Sequence, residues 1–270
     1  MENLKNDKID RIKYWNDDYV KYWKKMTDEA EKSSDISTVD GKVPGDYSTS
    51  GVDTIAEFLN NMDLQPKEKV LDYGCGLGRF FDYISQRSEY YGIDISEGMI
   101  KVCKQKYPLH ADRFMVAEGE NLPFEDGFFD KVVCVGVFDA CYQEAALMEM
   151  LRVVKDGGKI LISGKGNKYN LDDEQAYIAE EAARRKGHPN YFTDVKSMLE
   201  QGKKFVSVEE ERYFPYRGDM RKGKYTHKMP EKFYEWVIII RKIGGGTPEL
   251  NKFSDRYSDY WQIMNKINSK

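Results

Sequence analysis

No stretch of this chain approaches the ~20 consecutive apolar residues that a membrane-spanning helix requires. The opening Met1-Glu2-Asn3-Leu4-Lys5 lacks the apolar core of a signal peptide. These absences set membrane and secreted classes aside, and the expected compartment is the cytoplasm. Cysteine is scarce as well: Cys75, Cys103, Cys134 and Cys141 are scattered, with no C-x-x-C pair. They read as reduced core thiols rather than as a disulfide framework or a zinc site, and no metal is expected. Positive charge is not in excess, since 42 Lys and Arg face 46 Asp and Glu for a net charge of −4. No global positive field therefore invites nucleic acid. Internal repeats and long low-complexity tracts are also missing from the 270 residues, a length that holds one large core or a core with an accessory lobe.

What the chain does have is the run Val70-Leu71-Asp72-Tyr73-Gly74-Cys75-Gly76-Leu77-Gly78-Arg79-Phe80. It reads as a short buried strand, a tight turn with glycine at alternate positions, and a helix opening near Arg79. Missing Cβ atoms let the backbone approach a ligand, and a helix N-terminus beyond the turn presents free N–H groups to it. The dinucleotide fingerprint G-x-G-x-x-G is a poor match, because the spacing here is G-x-G-x-G behind an acid. Asp72 would repel a pyrophosphate and attract a cationic amino group. A second acid, Asp94, ends the next apolar run at about the 20-residue distance expected of a ribose-binding carboxylate.

From Val70 onward strands and helices alternate, the pattern of a parallel sheet covered on both faces. Strands are expected over 69–73, 90–94, 113–117, 131–136 and 159–163, with a turn at 155–158. Helices are expected over 79–86, 97–106 with Ser96 as N-cap, and around Ala145 to Leu151. Beyond Gly166 come helices over 171–186 and from a Thr193 N-cap to 201, then two last strands in 204–214 and 233–242. Before Val70, residues 1–35 read as helical with an aromatic stripe of Tyr14, Trp15, Tyr19, Tyr22 and Trp23. The stripe reads as a face packed on the core, with a lid closing over a ligand as the functional alternative. A polar loop leads to a helix over 52–62. The basic segment Arg217, Arg221, Lys222, Lys224, His227 and Lys228 reads as a solvated hairpin, with a grip on an anionic acceptor as its functional alternative.

Together, D-x-G-C-G-x-G and the acid of the next strand resemble motifs I and II of the class I S-adenosylmethionine-dependent methyltransferases. The resemblance covers roughly 50–165 well and 166–243 in element order. It implies an α/β Rossmann-like three-layer sandwich, a mostly parallel seven-stranded sheet with its last strand antiparallel. It divides the chain into an N-terminal aromatic helical lid and loop (1–50), a methyltransferase domain (51–243, with an insert at about 166–203) and a tail (244–270). It implies S-adenosyl-L-methionine as cofactor, held by Asp72, Gly74, Cys75, Gly76 and Gly78. Asp94 would accept the ribose hydroxyls while Ile95 and Met99 flank the adenine. Glu118 and Gly119 stand where the family usually has Asp-Ala before Leu-Pro-Phe, and Gly136 and Val137 match its backbone contact to the amino group. Tyr47 and Ser50 fall where a segment of the family often crosses the cofactor's methionine end.

The expected activity is methyl transfer to a small-molecule acceptor. A hydroxyl acceptor needs a general base, and the candidates are Asp139 and Tyr142 after the fourth strand, His188 in the insert and His227 in the basic loop. Neither a nucleic-acid nor a membrane partner is expected, and the oligomeric state is left open. Competing readings are an NAD-dependent oxidoreductase and a catalytically silent cofactor-binding protein of the same fold.

Overall fold

The protein is described from a computed structural model, which covers residues 11–16, 19–21, 58–188, 190–220, 222–244, 246 and 248–268. Tyr22, Trp23, Tyr47, Ser50, Arg221 and the first part of the expected helix 52–62 lie outside the described residues. The strands are β1 (Lys69–Tyr73), β2 (Glu89–Asp94), β3 (Phe114–Val116), β4 (Phe129–Cys134), β5 (Val154–Lys165), β6 (Phe192–Thr193), β7 (Val206–Phe214), β8 (Glu235–Lys242) and β9 (Ser254–Asp255). The helices are α1 (Phe81–Ser85), α2 (Glu97–Lys106), α3 (Gln143–Val153), α4 (Glu174–Arg185), α5 (Val195–Gly202) and α6 (Asp259–Asn268).

Seven of the strands form one sheet in the order β3-β2-β1-β4-β5-β8-β7. β1 to β5 pair in parallel, and β8 enters antiparallel between β5 and β7. This is the expected architecture, including the reversed last strand of the large sheet. Strand side chains alternate between faces, and the core divides accordingly. Leu71, Val132, Ile160 and Ile238 face α3, where Leu147, Met150 and Leu151 are buried with them. Val70, Val133, Leu161 and Ile239 face the other layer, built from Phe58, Met62, Phe81, Ile84, Ile100 and Cys103. Each fully buried aliphatic of this kind contributes roughly 1.5–3 kcal/mol. Asp72 follows the second face and Tyr73 the first, so the two residues before the glycine turn point to opposite sides of the sheet.

Local chemistry sets the element ends. Ser96 caps α2 by accepting the Met99 amide at 3.2 Å. The α5 cap differs from expectation: Thr193 is consumed by β6, and the neighbouring Asp194 caps the helix, its Oδ1 accepting the Ser197 amide at 3.0 Å. Thr193 is held instead by its pairing with Ser254 and by donating its hydroxyl to Gln143 at 2.9 Å. The turn expected at 155–158 lies within the long β5, whose pairing with β4 is interrupted by a register shift.

The C-terminal segment returns to the insert. β9 pairs antiparallel with β6, and the buried Glu180 of α4 accepts from Tyr169 at 2.5 Å and Ser258 at 2.6 Å while pairing with Arg184. Among the described residues no helix is long and apolar enough to cross a membrane.

Candidate cofactor cleft and active site

Parallel strands bring their carboxyl ends to one rim of the sheet, which is where open α/β sheets bind ligands. Here the ends of β1, β2 and β4 surround a cleft of about 400 Å³, within the range of small-molecule sites. The turn after β1 is tied to β2 by its backbone: Ile93 O accepts both the Gly74 amide at 2.9 Å and the Cys75 amide at 2.8 Å. Gly76 sits at φ +53°, and a Cβ built on it would meet nothing within 4 Å among the described residues. That open volume faces the cleft, a bare-backbone cradle that any side chain would begin to fill.

Asp94 closes the turn from the neighbouring strand. Its Oδ2 accepts the Gly76 amide and its Oδ1 the Ser96 amide, each at 2.9 Å. Burial raises the Asp94 pKa, and these amide donors oppose the rise. Asp72, 2% exposed, accepts the Tyr90 hydroxyl at 2.9 Å. Burial pushes its carboxyl up to about 7, against the Tyr90 hydrogen bond and the charge of Arg79, with the negative Asp94 adding to the rise. A carboxylate desolvated in this way gains most from a cation placed beside it.

Asp72, Gly74, Cys75, Gly76, Gly78, Asp94, Ile95, Met99, Gly119, Gly136 and Val137 all border this one cleft. Glu118 does not stand on its wall, whereas the adjacent Gly119 and Glu120 do. Several wall residues escape sequence reasoning. Arg79 reaches back to donate to Val135 O at 3.4 Å, close to Gly136. Its place directly after the third glycine is the one signal that could have marked it. Arg11, Trp15 and Tyr19 line the cleft from the N-terminal helical segment. The aromatic stripe pointed to the latter two, but nothing local marks Arg11, whose partner Glu120 lies 109 residues away.

The four candidate bases do not share one position. Asp139 is buried and pairs with Lys165, Oδ2 to Nζ at 2.6 Å. Burial would raise its pKa, but the Lys165 ammonium outweighs burial and holds the carboxyl below its usual range. His188 sits against the rings of Tyr14, Trp15 and Tyr19, with centroids 5.3, 5.1 and 6.2 Å away. Burial, then the charge of Lys165, pushes its pKa down to about 4 although Asp139 pulls the other way. Tyr142 lies under the Arg11 guanidinium, 4.4 Å from the ring centroid. None of these three lines the cleft: Asp139 and His188 lie near one another, and Tyr142 stacks on Arg11 of the cleft wall. His227 does not join them. It is exposed, its Nδ1 lies 3.1 Å from Glu211 O on the sheet-edge strand β7, and no described residue of its segment lines the cleft. The expected role of His227 is therefore withdrawn, because the hairpin carrying it runs beside β7. Among the described residues no three of His, Cys, Asp and Glu gather closely enough to hold a metal.

The set fits S-adenosylmethionine. A ribose needs acceptors, a cationic amino group needs a buried carboxylate, and the methionine chain needs backbone without side chains; Asp94, Asp72 and the Gly76 cradle, gathered in one cleft, would meet those needs. Comparison with known proteins agrees. The family model described as "Methyltransferase domain" matches residues 71–162. The chain is 31% identical over 154 residues to phosphoethanolamine N-methyltransferase 1 of Arabidopsis thaliana, covering 49% of this chain and 31% of that protein. It is 32% identical over 145 residues to the tRNA (carboxymethyluridine(34)-5-O)-methyltransferase of the same plant, covering 52% of this chain and 34% of that protein. The chain thus spans about a third of the length of these relatives. A solved Thermotoga maritima structure, described as a SAM-dependent methyltransferase and possible histamine N-methyltransferase, shares the fold with a TM-score of 0.54 at 18% identity, over 86% of this chain and 100% of that one. The family match takes in the glycine turn, both strand-end acids and the fifth strand as far as Ile162, so residues 71–162 are similar to methyltransferase domains.

Proposed function

We propose that this protein transfers a methyl group from S-adenosylmethionine to a small-molecule acceptor. The observation that carries the reading is the open Gly76 cradle flanked by Asp72 and Asp94 at the ends of adjacent parallel strands. When bound, the cofactor supplies an electrophilic methyl on a sulfonium. The protein's part is alignment and exclusion of water, since in-line displacement depends chiefly on placing the nucleophile behind the methyl carbon. Asp94 would take the ribose hydroxyls, Asp72 and the backbone at Gly136 the amino group, and Ile95 and Met99 the adenine faces. Trp15 and Tyr19 act as a lid on the acceptor side, where their rings keep water out.

For a hydroxyl acceptor, His188 would serve as base once Trp15 and Tyr19 move aside, since it stands against their rings and does not itself line the cleft. Its imidazole is neutral at physiological pH and sits against Trp15 and Tyr19 of the cleft wall, while Asp139 is already committed to Lys165. A small acceptor is supported by the helical segment lying along the cleft and by the net charge of −4. Calorimetry with S-adenosylmethionine and with its demethylated product is the first test. Micromolar binding of both is expected, with none of NAD, and absence of the first two refutes the reading. A screen of small amines, phenols and acids with labelled methyl donor then identifies the acceptor class. Unchanged turnover in H188Q would remove His188 as the base.

A further inference from the structure

Arg11 is 6% exposed, which is unusual for an arginine. Its guanidinium grips Glu120 with two prongs, Nη1 to Oε1 at 2.5 Å and Nη2 to Oε2 at 3.1 Å. Nη1 also reaches Ala140 O at 3.4 Å, and the group stacks on Tyr142. Glu120 accepts the Tyr142 amide as well, at 2.9 Å. Farther along the same segment, Asn16 Oδ1 accepts from Ser96 Oγ at 3.3 Å and from the Gly98 amide at 3.4 Å. Val20 packs against Gly98, where an added Cβ would stand 3.0 Å from it.

The segment is thus fastened on both sides of the cleft, to the loops after β3 and β4 at one end and to the start of α2 at the other. Arg11, Trp15 and Tyr19, four residues apart and so on one helix face, all border the cleft between those anchors. The Asn16 and Val20 anchors are long hydrogen bonds and a light contact. The Arg11–Glu120 pair is the strong one, and it is incompletely satisfied because Arg11 Nε is buried with no hydrogen-bond partner among the described residues. Opening lets water reach that orphaned Nε, which offsets part of what the pair contributes and suits a fastening that opens.

We propose that Arg11 is a positioning residue: its two-pronged pair with Glu120 latches the N-terminal helical segment along the cleft, setting Trp15 and Tyr19 on the acceptor side, and opens when ligand enters or leaves. This rests on the methyltransferase reading for the ligand's identity but not for the latch itself.

The test uses the full chain in four forms, namely wild type, R11M, E120Q and R11M/E120M. Lys13 and Lys21 are exposed on the latched segment, so tryptic cleavage at these two sites, read by mass spectrometry on the ligand-free protein, reports undocking. Stopped-flow release of the demethylated cofactor reports exchange. R11M and E120Q are each expected to cut at least tenfold faster at Lys13 and Lys21 and to release the product at least tenfold faster. R11M/E120M, with an apolar pair in place of the ions, is expected to regain tryptic resistance. Wild-type cleavage and release in both single variants would overturn the latch. Should R11M fail to fold, E120Q alone decides the same question. If the product does not bind the wild type, the cofactor reading fails, and the tryptic comparison still decides the latch.

Discussion

Asp94 and Gly76 are joined across two strands: the carboxylate that would hold a ribose already accepts the amide at the centre of the glycine turn, at 2.9 Å. The same side chain accepts the Ser96 amide, the residue that caps α2. Binding and folding are therefore coupled at this position. D94A leaves two amides without acceptors, a loss of about 1–3 kcal/mol for each one left buried. D94N keeps one acceptor oxygen and can serve one amide only. Calorimetry and thermal melts should show D94A losing both affinity for the demethylated cofactor, by at least tenfold, and several degrees of melting temperature. D94N should melt closer to wild type than D94A while still binding weakly. Full affinity in D94A would separate the acid from the ligand.

Asp72 predicts a pH dependence of binding. Its folded pKa of about 7 lies above the ordinary carboxylate value because of burial, so in the free protein it is largely protonated at pH 6 and ionised at pH 8. A ligand ammonium favours the ionised form, and binding must expel the proton. Affinity should therefore tighten roughly tenfold between pH 6 and pH 8. Titrations in buffers of different ionisation enthalpy should register proton release near pH 6.5. D72N should bind weakly with a flat profile. For stability the sign is opposite: a raised folded pKa gives a contribution present below about pH 4 and lost as pH rises through about 7.

Much of this was legible in the sequence because it is written locally. The turn, both strand-end acids and the order of strands depend on glycine spacing and apolar runs, which are properties of short windows. Thr193 shows where such windows mislead. Thr and Asp are both good caps, and only the distant pairing of β6 with β9 decided that Asp194 caps the helix. Arg11 and Glu120 were illegible for the same reason, since an ion pair across 109 residues leaves no periodicity. His227 looked like a candidate because it is a histidine in a basic loop, and only the sheet order reveals that its loop runs beside the edge strand.

The Lys165–Asp139 pair makes a prediction about His188. Removing one partner of a buried pair leaves an unpaired charge, a loss of about 3 kcal/mol. K165M should therefore melt well below wild type, and D139N/K165M should recover most of the difference. Lys165 pushes the His188 pKa down while Asp139 pulls it up. In K165M the push is gone and the pull remains, so His188 should titrate above 4, whereas in the double variant burial and the charge of Lys186 should hold it low. Proton NMR of the three histidines distinguishes these outcomes. An unmoved His188 in K165M would mean that burial alone sets its pKa.

Gly119 and Tyr73 make the last prediction, which concerns why glycine stands where the resembled family usually has alanine. A Cβ on Gly119 would overlap the Tyr73 hydroxyl and the ring carbon bearing it, and would come within 2.8 Å of the next ring carbon. Tyr73 is itself 2% exposed and cannot swing away without disturbing the core shared with Phe138 and Cys141. G119A should then be overpacked by about 1–3 kcal/mol and should bind the demethylated cofactor more weakly, because Gly119 borders the cleft. Y73F alone should melt at or above wild type, since among the described residues the buried hydroxyl it removes has at most the weak Cys141 thiol beside it, and a poorly satisfied buried polar group is a burden. Y73F/G119A should remain destabilised because the ring still occupies the space, whereas Y73L/G119A should recover. Equal melting of the two double variants would show that the ring yields, and that the hydroxyl alone keeps residue 119 a glycine.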